Sequence, residues 1–183
     1  MRRRFERYAM LALVCTFAVP LAAQKITETG TGGGGSPHVK AEWTVDGAAI
    51  AVEYGRPFLK GRPEAQMMPA GRPWRTGADQ ATIITSSKPL TFGSVKLSAG
   101  TPYTINTVPG DAGWQILFGK LDKPGQWGIP YQQPLEIGKA PMKVGKAGKP
   151  AEQVTIAIDD TADGATLRIE WGTVSATAPF KIG

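Results

Sequence analysis

Apolar and polar residues alternate with a period of two along most of the chain beyond residue 37. In the segment 38–54, Val39 and Val45 mark one apolar face, and Asp46-Gly47 interrupts the alternation before it resumes. Period-two alternation is the signature of half-buried strands, and Asp-Gly favours the positive φ angles of a tight hairpin turn. The segment therefore predicts a β-hairpin.

Similar short segments follow, each rich in β-branched or apolar residues and each bounded by turn residues. They cover 81–86, 89–93, 95–97, 102–108, 114–119, 153–159, 165–171 and 173–182. No window of ten or more residues beyond the amino-terminal segment has helical periodicity, while 15 prolines and 23 glycines punctuate the chain. This pattern predicts an all-β fold, an antiparallel β-sandwich of about eight to ten strands in a single domain.

The first 23 residues have a different character. A basic stretch precedes an uncharged run over 8–21, and small residues, Ala22 and Ala23, close it. This is the layout of a secretory signal peptide, with an apolar run short for a membrane span. We expect an exported protein, periplasmic or secreted, with no stable membrane span after cleavage; an uncleaved membrane anchor is the alternative.

Residues 24–36 include the stretch KITETGTGGGGS and offer almost nothing to bury. Such composition is typical of a flexible, glycine-rich linker. A phosphate-cradling loop would need a strand before it and a helix after it, which the pattern does not predict here. The predicted organisation is therefore a signal peptide over 1–23, a linker over 24–36 and a β-sandwich domain over 37–183.

The net charge and the small number of histidines and cysteines limit the kinds of site that the chain can form. Without residues 1–23 the chain has 17 Lys+Arg and 14 Asp+Glu, and it loses its only cysteine. So mild a charge requires neither nucleic acid nor an anionic membrane as a partner. Catalysis by a serine or cysteine with a histidine, and zinc binding, draw on histidines and thiols, and His38 is the only histidine. We expect no cofactor and no metal.

Two further polar stretches have competing interpretations. Asp159, Asp160 and Asp163 in DDTADG are compatible with calcium ligation or with a solvated hairpin turn, and the turn is favoured. The stretch 138–150 has four lysines among glycines and prolines but no aromatic residue to stack on bases. It predicts a solvated loop rather than a nucleic-acid site.

The connection over residues 55–82 is the one place where a site is predicted. It concentrates arginines and lysines among glycines, prolines and a tryptophan. Arginine presents a planar fork of donors that suits carboxylate, phosphate or sulfate, and tryptophan offers a stacking face. The candidate ligand-binding residues are Arg56, Lys60, Arg62, Trp74, Arg75 and Asp79.

Three interpretations of this connection remain open. It could bind a small anionic or glycan ligand, or an envelope protein, as part of a non-enzymatic module. Its arginines could instead be internal ties, paired with Glu53, Glu64 and Asp79 or donating to loop carbonyls. The third is a carboxylate-dependent hydrolase of envelope polymers built on those same three acids. A catalytic role is less favoured than a binding or structural role, and no catalytic residue is assigned.

Taken together, the motifs resemble those of the bacterial family known as domain of unknown function 2911. The resemblance rests on VEYGRPFLKGR, on PWRTGADQAT, on LSAG and on a late tryptophan, Trp171. It spans nearly all of residues 37–182 and implies a secreted, β-rich protein without an established reaction. Asp79 stands where that family usually has asparagine, Gln80 where it often has glutamate, and Ser98 where it has proline.

Overall fold

The computed structural model describes residues 24–183, so the predicted signal peptide lies outside the described residues. The elements are β1 Lys25–Thr31, β2 Pro37–Val45, β3 Ala48–Gly55, α1 Glu64–Met67, β4 Thr82–Ser86, β5 Leu90–Phe92, β6 Val95–Leu97, β7 Tyr103–Val108, β8 Trp114–Lys120, a 3₁₀ turn Gln133–Leu135, β9 Glu136–Thr161 and β10 Gly164–Ile182. Within this part of the chain, no helix is long and apolar enough to cross a membrane.

Within residues 24–183, ten strands form one antiparallel sheet in the order β1-β2-β3-β4-β7-β8-β9-β10-β5-β6, which is not closed into a barrel. The long strand β9 pairs with β8 through its first residues and with β10 through the remainder. Strands that pass from one layer to another in this way fold a sheet over on itself. The predicted all-β, antiparallel, single-domain fold is confirmed.

One buried apolar cluster lies between the two ends of the folded sheet. Phe92 of β5 contacts Phe118 of β8 at 4.6 Å and Phe180 of β10 at 4.7 Å between ring centroids. Across the same interior, the Tyr54 hydroxyl of β3 accepts a hydrogen bond from the Ile156 backbone N–H of β9 at 3.1 Å. Burial of this apolar surface is the main force that stabilises the fold.

The glycine-rich segment 24–36 differs from the linker that its composition predicts. Residues Lys25–Thr31 form β1, which pairs with β2 along its whole length. All seven side chains of β1 are exposed, so the strand is held by its backbone ladder and has no buried face for a hydrophobic pattern to reveal. The turn that follows is also ordered, because Gly32 N–H donates to Ser36 O at 2.9 Å.

The lysine-rich stretch 138–150 also differs from its prediction as a solvated loop. It lies inside β9, where Lys143 and Lys146 pair with Thr177 and Val174 of β10. Its lysines are exposed, and its glycines and prolines give little strand propensity. The strand therefore depends on its neighbours β8 and β10 rather than on its own sequence.

The DDTADG stretch forms the turn of the β9–β10 hairpin, as the favoured interpretation predicted. Arg168 of β10 donates to both carboxylate oxygens of Asp159, at 2.7 and 3.0 Å. It also pairs with Glu170 at 2.8 Å. These contacts raise the pKa of Arg168, first through the hydrogen bond to Asp159.

The connection between β3 and β4, residues 56–81, is fastened to both layers of the sandwich. Its first part bonds to β9, where Val154 N–H donates to Pro57 O and Leu59 N–H to Glu152 O. Its second part bonds to β7, where Trp74 and Thr107 exchange two backbone hydrogen bonds of 2.7 and 2.9 Å. This β3–β4 connection therefore spans the space between the layers and positions the site.

Candidate functional site

A cavity of about 600 Å³ lies beside the β3–β4 connection. Five of the six predicted site residues line it: Lys60, Arg62, Trp74, Arg75 and Asp79. Arg56 does not. A volume of this size is within the range of small-molecule sites.

The remaining wall is largely apolar. It includes Phe58, Met67, Pro69, Ile129 and Trp171. Gly34 and Ser36 of the β1–β2 turn also line it. Because Trp171 belongs to β10 and Ile129 follows β8, the cavity is assembled from four separate parts of the sequence. Its only carboxylate among the described residues is Asp79.

Trp74 forms the floor of the cavity rather than an open stacking surface. Its ring is stacked on Trp171, with centroids 5.6 Å apart and planes at 11°, and Trp114 meets its edge at 6.4 Å. Only 8% of Trp74 is exposed. The predicted aromatic face is therefore used by the core.

The segment after Trp74 is fixed by buried hydroxyls. Thr76, which has a φ of 57°, is fully buried, and its Oγ1 lies 3.2 Å from Thr107 Oγ1. Thr82 Oγ1 in turn donates to Thr76 O at 3.1 Å. A non-glycine residue at positive φ is strained and persists only where its surroundings hold it, so these hydrogen bonds hold the backbone between Trp74 and Gly77 in place.

Gly77 serves close backbone packing. A Cβ at residue 77 would lie 2.8 Å from Thr82 Oγ1 and 3.0 Å from Gly55 O. Across the same contact, a Cβ at residue 55 would meet Ala78 O. The end of β3 and the cavity wall therefore approach more closely than side chains would permit.

Arg56 is an internal tie. Its Nε donates to Val154 O at 3.1 Å and its Nη2 to Thr155 Oγ1 at 3.2 Å, both on β9. Its guanidinium thereby fastens the end of β3 to the opposite layer.

Arg62 and Arg75 are only partly satisfied by the protein. Arg62 donates through Nε to Leu59 O at 3.0 Å and through Nη2 to Phe58 O. Arg75 donates through Nε to Gly77 O at 3.3 Å and through Nη1 to Asp79 O at 3.4 Å. Within residues 24–183, none of these hydrogen bonds uses Arg62 Nη1 or Arg75 Nη2.

Among the described residues these two arginines form no ion pair with Glu53, Glu64 or Asp79, but the expected hydrogen bonds to loop carbonyls do form. Burial lowers the pKa of the Arg75 guanidinium, and the charge of Asp79 raises it by less. Arginine stays protonated in proteins despite such shifts. Both guanidiniums are therefore charged, held by two hydrogen bonds each and still able to donate.

Lys60 is the third cation of the cavity. Its backbone N–H donates to Glu152 Oε1 at 2.7 Å, and its φ is 50°. Its Nζ lies 5.8 Å from the centroid of the Phe58 ring. The ammonium group is exposed and forms no hydrogen bond within the described part of the chain.

Asp79 is bonded to the only histidine. Its Oδ2 lies 3.0 Å from His38 Nε2, and both side chains are more than four-fifths buried. The backbone of Asp79 has a φ of 61°, a region in which asparagine and aspartate are the most tolerated side chains after glycine. A Cβ at residue 32 would overlap the Asp79 carboxylate, so Gly32 lets the β1–β2 turn close over this pair.

The sequence pattern does not indicate this pair, because His38 and Asp79 are 41 positions apart on different elements. It also overlooked the segment 121–132 after β8, which flanks the cavity. Trp127 and Ile129 of this segment are 52% and 53% exposed, and Arg75 Cζ lies 5.9 Å from the Trp127 ring centroid. The exposure of these two large apolar side chains marks the segment as part of the site. The sequence pattern does not reveal which apolar residues are exposed.

The three acids proposed for hydrolysis do not share a cleft. Asp79 lines the cavity, while Glu53 lines a separate, open depression on the outer face of the sheet. Glu64 instead accepts hydrogen bonds from Thr173 N at 2.6 Å and Thr173 Oγ1 at 3.1 Å. Among the described residues, no three His, Cys, Asp or Glu side chains are grouped as metal ligands.

Fold and site together define a single-domain antiparallel β-sandwich with a cation-lined cavity beside one long connection. The family described as "Protein of unknown function (DUF2911)" has a sequence model that matches residues 36–180. The chain belongs to this family, as its motifs indicated. No curated protein and no solved structure matches it.

Proposed function

We propose that the protein is a non-enzymatic binding module that holds an anionic ligand with an apolar body in the cavity beside the β3–β4 connection. The observation that carries the proposal is the set of unused donors on Arg62 and Arg75. Lys60 adds a third positive charge at the same cavity. A fork of N–H donors next to apolar walls suits a carboxylate, phosphate or sulfonate attached to a ring or chain.

The charge balance of the cavity supports the same proposal. Three cations face one carboxylate, and Asp79 is already hydrogen-bonded by His38. An incoming anion would replace water on two guanidiniums that already donate hydrogen bonds to the protein before it arrives. Such preorganisation lowers the entropic cost of binding.

The hydrolase alternative has no such support. Glycoside cleavage uses two carboxyl groups about 5–10 Å apart on either side of the bond that breaks, and Glu53, Glu64 and Asp79 belong to three different environments. Export through the amino-terminal segment remains part of the proposal. Mass measurement of the protein recovered from its native host would reveal whether the first 23 residues are removed.

The test uses 1-anilinonaphthalene-8-sulfonate, a fluorescent anion with an apolar ring system, as the probe. Titration of the wild type is compared with Arg62→Gln, Arg75→Gln and a matched control, Arg72→Gln. Arg72 is exposed on the same connection but does not line the cavity. Loss of one charge-assisted hydrogen bond should weaken binding about tenfold.

Wild-type affinity in Arg72→Gln together with weaker binding in Arg62→Gln and Arg75→Gln would support the proposal. Equal affinity in all four proteins would remove the cavity from consideration. Thermal unfolding of each variant serves as the folding control.

A further inference from the structure

Trp127 is an exposed aromatic platform that does not itself line the cavity but lies against Arg75, which does. More than half of it is exposed, although the Arg75 guanidinium covers part of its ring at 5.9 Å. A single exposed apolar side chain is ordinary, whereas neighbouring exposed apolar side chains mark a surface where a ligand can pack. Ile129, also exposed, lines the cavity close by.

This platform is held in place by backbone contacts to the cavity wall. Trp127 forms an isolated β-bridge with Gln80. On either side of it, Gly128 N–H donates to Asp79 O and Ala81 N–H to Gln126 O, both at 2.9 Å. The backbone that carries the exposed ring is therefore fixed relative to residues 79–81 of the β3–β4 connection.

Gly128 makes the contact between Trp127 and Arg75 feasible. A Cβ at residue 128 would lie 2.7 Å from Arg75 Cδ and 3.0 Å from its Cβ. Because glycine has no side chain, the aliphatic stem of Arg75 passes close to this backbone and its guanidinium reaches the Trp127 ring. Arg75 thus belongs to the platform and to the cavity at once.

We infer that the ligand is an acidic saccharide, an inference that rests on the function proposed above. The C–H face of a sugar ring would pack on Trp127, which removes apolar surface of both from water. The carboxylate of the same or the next sugar would accept from the free donors of Arg75 and Arg62. An apolar substituent, such as an acyl group, would enter the cavity towards Met67 and Trp171.

The geometry favours a saccharide over a simple fatty or aromatic acid. A simple acid would fill the cavity and leave the Trp127 surface in water. A ligand with an extended ring plane, a negative charge and a small apolar appendage matches all three surfaces together. The sequence pattern predicts Trp74 as the stacking residue, but Trp171 covers the face of Trp74. In this inference Trp127 takes that role instead.

The test is an array of acidic oligosaccharides that contain uronate, sialate or muramate. Each is printed beside a counterpart whose carboxyl group is methyl-esterified. The wild type should bind at least one acidic member. It should bind the methyl ester of that member at least about tenfold more weakly. Trp127→Ala should weaken binding about tenfold, and Trp127→Phe should restore part of it because a ring is present.

Val144→Ala is the matched control, since it shortens an exposed apolar side chain that does not line the cavity. It should bind as the wild type does. The inference is overturned if the wild type binds no acidic saccharide, or if Trp127→Ala binds as tightly as Val144→Ala. Continued binding of 1-anilinonaphthalene-8-sulfonate in either case would leave the proposed anion site intact.

Discussion

The carboxylate of Glu64 occupies the space that a side chain at residue 172 would require. A Cβ at Gly172 would overlap this carboxylate, which accepts hydrogen bonds from Thr173 N and Thr173 Oγ1. The contact fastens α1 to an irregular point of β10, where the register shifts. Because Met67 of α1 lines the cavity, this clamp holds one of its walls.

Gly172→Ala should therefore destabilise the protein by about 1–3 kcal/mol, since residue 172 has a φ of 59° and no room for a Cβ. Gly145→Ala is the control, because a Cβ there would meet nothing within 4 Å. It should change the free energy of unfolding by less than about 0.5 kcal/mol. Urea denaturation measures both, and equal effects of the two substitutions would contradict the clamp.

The regular part of the fold follows from the sequence pattern because its strands each bury one face. Asp46 and Gly47 adopt φ angles of 48° and 71°, which the Asp-Gly turn between β2 and β3 predicted. β1 escaped prediction because none of its side chains is buried. The middle of β9 escaped because glycines and prolines there are held by neighbouring strands.

The spatial grouping of the candidate residues, though not their function, could be predicted in part from the sequence. Cations close together in sequence on one connection also lie close together in the fold, so Lys60, Arg62 and Arg75 could be found from local composition. The identity of their partners could not, because the backbone carbonyls that they contact have no sequence signature. Trp127 is more than 50 positions from Trp74, and only the tertiary fold shows which ring is exposed.

The two tryptophans should respond differently to substitution. Trp74→Ala should destabilise the fold by about 3–5 kcal/mol, because it leaves a hole between Trp171 and Trp114. Trp127→Ala should change stability by less than about 0.5 kcal/mol, since the ring is mostly exposed. Thermal or urea unfolding distinguishes them, and a large loss in Trp127→Ala would make Trp127 a structural residue.

Asp79 should be replaceable by asparagine but not by alanine. Asparagine tolerates the φ of 61° and can still accept a hydrogen bond from His38. We expect Asp79→Asn to stay within about 0.5 kcal/mol of the wild type and Asp79→Ala to lose about 1–2 kcal/mol. Equal stability of the two variants in urea would show that neither backbone strain nor the His38 contact matters.

Tyr131 should make the fold sensitive to alkaline pH. Burial, followed by the hydrogen bond that its hydroxyl donates to the Glu136 carboxylate, raises the pKa of Tyr131. The unfolded phenol has a pKa of about 10, so above that pH the unfolded chain loses a proton that the folded chain retains. The free energy of unfolding should therefore be unaffected by this group below about pH 10 and fall as the pH rises further.

Tyr131→Phe should remove that part of the alkaline loss. The measurement is urea denaturation of both proteins in steps from pH 8 to pH 11. Parallel loss of stability in the two proteins over the upper steps would assign the effect to other groups.

The cavity should bind an apolar ligand that carries a negative charge more tightly than the same ligand without the charge. Isothermal titration of the wild type with 1-anilinonaphthalene-8-sulfonate and with its uncharged analogue, N-phenyl-1-naphthylamine, measures this preference directly. We expect the sulfonate to bind at least about tenfold more tightly than the neutral compound. The difference should disappear in an Arg62→Gln, Arg75→Gln double variant. Equal affinity of the wild type for both compounds would contradict the account.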